Sequence, residues 1–252
     1  MNHNKFILSP IKNILVDVTS ACIGIGIGSG VETYPLCDYV MQSALLKMTG
    51  SQEQKMKCIC WELATNDYEY RYQRFSLNPL GECSNYQEKK EIYKDIIKQI
   101  EKHSELRFEG GLIEKRIILK ETNHAIISSF ENTNLLIWAK KHYLEYESLW
   151  SNIGEKYFAN KENLFVNKSN IGKDIKIDLV DMYDFLYKHR NRIAHNTLSY
   201  QQNLPTLKTL FNGNYQYENY FIYFSMLVLI DNIFISLYEH YLKVMNQLGQ
   251  NM

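Results

Sequence analysis

Apolar residues recur at three- and four-residue spacing along most of this chain, the pattern of helices that each bury one face. A first helix is expected over about 36–48, after a break at Tyr34-Pro35 and ending before Thr49-Gly50. Ser51-x-x-Gln54 then has the spacing of a capping box, in which two side chains satisfy the free N–H groups of a helix start. Met56, Ile59, Cys60, Leu63 and Tyr70 carry a helical stripe through "KMKCICWELATNDYEYRYQRF". "SLNPLGECSN" has the composition of a loop and is the best candidate boundary. It divides the chain into an N-terminal helical extension over 1–84 and a helical domain over 85–252, unless the two form one continuous domain.

Past that loop, Ile92, Ile96, Ile97 and Ile100 line one side of a helix whose other side is charged. Gly110-Gly111 separates it from a long helical region reaching about Trp150. "NIGEKYFANKENLFVNKSNIGKD" reads as a loop with room for short strands. A helix over about 178–195, a loop through "SYQQNLPTLKTLFNGN" and a last helix over about 215–247 complete the chain. The fold class expected is mostly α. No internal repeat is visible, and there are only four prolines.

Two apolar runs test for membrane segments. "ILVDVTSACIGIGIG" is interrupted by Asp17 and no clean cleavage site follows it. "YFIYFSMLVLIDNIFISLYEHYL" has Asp231 and Asn232 at its middle, where an unpaired charge in lipid is costly. It reads as a core or interface helix, and no membrane span is assigned.

Lys plus Arg and Asp plus Glu both number 28, so the formal net charge is zero. A general cationic coat for nucleic acid is excluded, and any anion binding must be local. Five cysteines, with no C-x-x-C pair and no histidine cluster beside Cys58-x-Cys60, argue against zinc and for reduced thiols in a cytoplasmic protein. "GIGIGSG" at 24–30 lacks the third glycine of a dinucleotide fingerprint and the Lys-Ser/Thr of a P-loop. Ala21, Gly24 and Gly28 read instead as a small face for close helix packing, or as a loop. No cofactor or metal is expected. In "YEYRYQRF", Arg71 and Arg74 beside Tyr68, Tyr70 and Tyr72 are residue types that stack bases and touch phosphates. On a helix they point in several directions, so mixed packing with solvated charge is the favoured reading.

The most informative stretch is "DFLYKHRNRIAHNT", residues 184–197. On a helix, Leu179, Met182, Tyr183, Leu186, Ile193 and Ala194 cluster on one face and Arg190 falls near the centre of that stripe. A guanidinium there requires a buried carboxylate, a partner subunit or a bound anion. Asp184, Asp231 or Glu239 could supply the carboxylate. Arg192 is expected opposite the stripe, in solvent. Asn191 and His195, four apart, share the flank, and the helix C-terminus favours a charged His195.

Arg190-Asn191-Arg192-Ile193-Ala194-His195 resembles the R-N-x-x-x-H form of the R-x4–6-H motif of HEPN ribonucleases, named for higher eukaryotes and prokaryotes nucleotide-binding domains. The resemblance covers about residues 85–248 and implies a HEPN-like helical bundle, with the motif near the end of a late helix. It implies metal-independent RNA cleavage, with His195 as acid–base group, Arg190 on the phosphate and Asn191 orienting His195 or the substrate. His189, Arg192 and Lys188 become candidate RNA contacts, each with a packing or solvation alternative. A homodimer with a composite site is implied, as is control by an antitoxin or sensor protein, in the manner of toxin and abortive-infection proteins. Two other readings stay open: a non-catalytic HEPN-like module binding RNA, nucleotide or protein, and a helical interaction protein with an accidental motif.

Overall fold

The computed structural model describes residues 2–21, 33–108, 111–167, 178–195 and 219–250. It is mostly α. Two short N-terminal helices, α1 (His3–Ile7) and α2 (Lys12–Ala21), precede a 34-residue helix, α3 (Thr33–Asn66). A five-residue helix, α4 (Tyr68–Tyr72), runs into a π turn over Gln73–Leu77. Then follow α5 (Tyr86–His103), α6 (Lys115–Phe130), α7 (Asn134–Trp138), α8 (Lys140–Trp150), a hairpin of β1 (Phe158–Asn160) and β2 (Asn163–Phe165), α9 (Leu179–His195) and α10 (Tyr220–Gln250). The glycine-rich segment 24–30 lies outside the described residues.

The expected break at Thr49-Gly50 does not occur, and Ser51-x-x-Gln54 caps nothing: α3 runs through both. Its buried stripe explains why. Met41, Ala44, Leu45 and Met48 continue into Gln52, Met56, Ile59, Cys60 and Leu63 without a phase change. Gln52 keeps its place by donating to the Leu227 carbonyl at 3.0 Å, so a polar residue sits in the stripe without ending it. A single glycine costs a helix about 1 kcal/mol, less than packing on both sides returns. Pro35 falls in the first turn of α3, where its missing N–H has no intrahelical partner to lose. The long region expected to reach Trp150 is three helices, parted at Glu131-Asn132, where Asn132 takes φ +64°, and again at Ala139. Asparagine tolerates that left-handed geometry better than most residues.

Most of α10 is buried inside the fold, against α3, α5, α6, α8 and α9. This is the one described helix long and apolar enough to cross a membrane, and here it is the core. Asn219 caps its start by accepting from the Ile222 amide at 3.4 Å and donating to the His142 carbonyl at 2.8 Å. Asp231, at its middle, is 1% exposed and accepts from Lys55 Nζ at 2.7 Å and from the Ile11 amide at 2.7 Å. Lys55 also donates to the Ser9 carbonyl. Burial pushes the Asp231 carboxyl up, against the pull of Lys55. One continuous hydrophobic cluster takes in residues from both sides of the 76–85 loop, from Ile7 and Leu63 to Ile100 and Val244.

Around the site, the loop and the hairpin are held by tyrosine hydroxyls. Tyr86 Oη donates to the Phe165 carbonyl at 3.0 Å and accepts from its amide at 2.9 Å. Tyr93 Oη reaches the Asn160 carbonyl at 2.8 Å, which pins the hairpin tip to α5.

Removing one member of a buried pair strands the other. Lys55→Met is expected to cost about 3–5 kcal/mol, and adding Asp231→Asn, which keeps an acceptor for Ile11, should recover at least about 1 kcal/mol of it. Urea unfolding of the wild type, the single and the double variant checks this; equal losses would deny the charge pair its role.

Candidate functional site

Helix α9 begins where the Asp178 carboxylate accepts from the Val180 amide at 2.9 Å, a side-chain cap. Leu179, Tyr183, Leu186 and His189 are its buried positions. The expectation that Arg190 occupies the centre of the stripe is therefore corrected by one residue. His189, 3% exposed, is the inner one, and the Arg190 side chain, 22% exposed, lies at the stripe's edge.

His189 is fully engaged within the chain. Its ring lies against Tyr220 and Tyr223, Nε2 is 3.2 Å from Tyr220 Oη, and Nδ1 is 3.3 Å from Arg192 Nη2. Tyr220 Oη in turn donates to Asp38 Oδ1 at 3.3 Å. A histidine with its proton on Nε2 satisfies all three contacts at once. Buried this way, His189 packs α9 on α10. Arg192 is half-buried against it and is not the solvated cation expected. Of the three candidate RNA contacts only Lys188 is exposed, its ammonium 6.0 Å from the Phe185 ring centre.

Arg190 is held by a carboxylate, though by none of those expected. Nη2 donates to both oxygens of Glu53 on α3, at 2.9 and 3.2 Å, and Nη1 donates to Asn191 Oδ1 at 2.9 Å. Asp184 and Glu239 are exposed, and Asp231 belongs to Lys55. Because Glu53 takes both contacts from one nitrogen, Arg190 Nε is left buried without a hydrogen-bond partner. Gln52 Oε1 is in the same condition. Both residues line one small cavity of about 10 Å³, together with Glu53, Lys89, Tyr183 and Tyr187, and that space suits about one water.

Lys89, on α5, is a member of the cluster that periodicity alone could have flagged. It lies three before Ile92 and seven before Ile96, a cation on the apolar stripe. It is fully buried and donates to the carbonyls of Cys83 at 2.5 Å and Ser84 at 3.4 Å. Burial lowers its pKa to about 8, with Glu53 opposing. Tyr183 Oη donates to the same Ser84 carbonyl at 2.9 Å. The Tyr187 hydroxyl is pulled below its ordinary value, first by a hydrogen bond with Asn191 and then by one with Ser84. At the junction of α3, α5 and α9 the two cations thus meet two carboxylates, Glu53 between Arg190 and Lys89 and Glu88 beside Lys89.

Asn191 stands beside Arg190, as expected. His195 ends α9, but its side chain lies outside the described residues. Among the described residues no group of three or more His, Cys, Asp or Glu side chains could hold a metal ion. Compared with protein-family models, curated proteins and solved structures, the chain matches none.

Two outcomes are expected here. A double-mutant cycle with Glu53→Gln and Arg190→Gln should give a coupling of about 1–2 kcal/mol in urea melts. Between pH 8 and 10.5 the unfolded chain keeps the Lys89 proton that the folded chain has lost, so stability should rise with pH across that window, by up to about 3 kcal/mol. Lys89→Met should remove the rise, read as the difference between wild-type and variant melts at each pH.

Proposed function

We propose that this protein is a metal-independent endoribonuclease of the HEPN type, acting in the cytoplasm as a toxin or phage-defence effector. What carries the reading is the Arg190-Asn191 pair: an arginine at the edge of the core, its guanidinium oriented by Glu53 and Asn191, on a helix that ends at His195. The zero net charge leaves substrate choice to a shaped cleft or a partner.

In this reaction the 2′-oxygen attacks the adjacent phosphorus as a base takes its proton. The bond from phosphorus to the 5′-oxygen breaks, and an acid protonates that oxygen. The products are a 2′,3′-cyclic phosphate and a 5′-hydroxyl. His195 serves as the acid–base group, since imidazole exchanges protons near neutral pH. Arg190 stabilises the charge that builds on the phosphoryl oxygens, using N–H groups already held in place. A two-fold homodimer would set two such helices across one cleft, and an antitoxin or sensor protein would restrain it.

One observation favours a second reading, a HEPN-like module that binds RNA, nucleotide or protein without cutting. Glu53 already occupies Arg190 Nη2, as it would in a purely structural ion pair.

Purified wild type is expected to cut RNA in the presence of EDTA and leave cyclic-phosphate ends, whereas Arg190→Ala and His195→Ala lose at least about 100-fold of the rate. Full cleavage by either variant would sink the nuclease assignment. A wild type inert on total RNA would favour the binding module.

A further inference from the structure

The run "YEYRYQRF" divides in the fold in a way its spacing concealed. Tyr70 is buried, and Arg74 is tied down by Asp95 at 2.8 Å and Glu91 at 3.1 Å. The remaining residues turn outward together. Tyr68, Tyr72 and Phe75, at 81%, 53% and 51% exposure, join Trp61 at 57% around one groove of about 530 Å³. Six aromatic side chains are exposed among the described residues, and four of them line this groove. Exposed aromatic area gathered in one place on an otherwise well-packed protein marks a binding surface.

The groove is rigidly built. Asp67 caps α4 by accepting from the Tyr70 amide at 3.1 Å and is fixed to α5 by Gln99 at 2.8 Å and Lys102 at 2.6 Å. Burial alone would raise its pKa; these partners outweigh burial and hold the carboxyl down at about 2. The clamp on Arg74, within the π turn, anchors that turn, which brings Phe75 onto the face of Tyr68 and Tyr72.

Its charge selects among ligands. The neighbouring carboxylates have partners of their own, Glu62 a hydrogen bond with His3 at 2.8 Å, and Glu69 and Asp67 a shared Lys102 at 3.2 and 2.6 Å. The Arg71 side chain lines the groove, is exposed, and has no hydrogen bond or ion pair among the described residues. No branched aliphatic side chain lines the groove, so it offers flat π faces and one guanidinium rather than sockets for a partner helix. A ligand with planar rings and a negative backbone fits both features.

We infer that the groove of Trp61, Tyr68, Arg71, Tyr72 and Phe75 binds single-stranded RNA, stacking unpaired bases on its rings with a phosphate on Arg71. It lies eight residues beyond Glu53 on α3, about 12 Å along the helix axis and about 80° around it. A short strand held there can therefore also approach the Arg190 cluster, but binding in the groove does not depend on any cleavage at Arg190.

The test uses the full-length protein and a fluorescein-labelled 2′-O-methyl oligoadenylate, which lacks the hydroxyl needed for cleavage. Anisotropy should report binding. Tyr68→Ala, Tyr72→Ala and Arg71→Ala should each weaken it by about 10-fold, within the range for losing one stacking or phosphate contact. Tyr72→Phe should bind like wild type, and Arg190→Ala should keep the groove contribution. These are exposed positions, and unchanged circular dichroism and melting will show that the variants fold. Three results would overturn the inference: no oligonucleotide binding by the wild type, binding untouched by the alanine variants, or variants that alter only the sedimentation of the protein, which would make the groove a contact between copies. A failed nuclease assay with intact groove binding would leave this inference standing and remove only the cleavage reading.

Discussion

The buried pair of Lys55 and Asp231 is the constraint around which this fold is arranged. Helix α10 is so apolar that it would pack acceptably in many rotations, and hydrophobic burial alone has little directional preference. A carboxylate 1% exposed at its middle removes that freedom. It must meet a cation and further donors, and Lys55 on α3 and the Ile11 amide before α2 are those groups. The pair thereby sets the rotation of α10 against α3 and draws the N-terminal helices onto the bundle. Its net contribution to stability is small once desolvation is counted; what it specifies is arrangement.

The same logic, about half a turn away, governs the Arg190 cluster. Glu53 precedes Lys55 by two residues on α3, so the helix that meets α10 through one charge meets α9 through another. Arg190 is thus oriented by the N-terminal part of the chain, and the helices after residue 85 are not self-sufficient in this respect. A guanidinium fixed by a carboxylate on one nitrogen, with its Nε buried and unpartnered, is both a structural tie and a preorganised cation. Which role dominates is a matter of what approaches its exposed edge.

Much of this was legible in the sequence where one element decides the outcome by itself. Helix α5 with its isoleucine stripe, α9 from its apolar face, the core placement of α10 and the mostly α class all follow from periodicity. The failures involve residues whose role depends on a distant partner. Gly50 looks like a stop until Gln52 is seen to reach Leu227 across the core. His189 and Arg190 are adjacent, and a helical wheel cannot tell which is deeper until Tyr220 and Glu53 are in place. Arg192 looks solvated until His189 is found beside it. Glu53 offered no local signal, because nothing in its neighbourhood announces an arginine 137 residues later. Lys89 did offer one, as a charge in an apolar register.

Unbroken α3 has a consequence for how this chain can change. Glu53, Lys55 and Trp61 sit on a single rod within nine positions, each committed to a different neighbour: α9, α10 and the aromatic groove. Every residue added to or removed from a helix turns all that follows by about 100° and shifts it by about 1.5 Å. Between Lys55 and Trp61, then, amino acids can be exchanged but their number cannot, since a single insertion or deletion would swing the groove a quarter-turn or more away from the charges below it. The segment is a fixed-length spacer, and length variation in this protein has to be accommodated elsewhere.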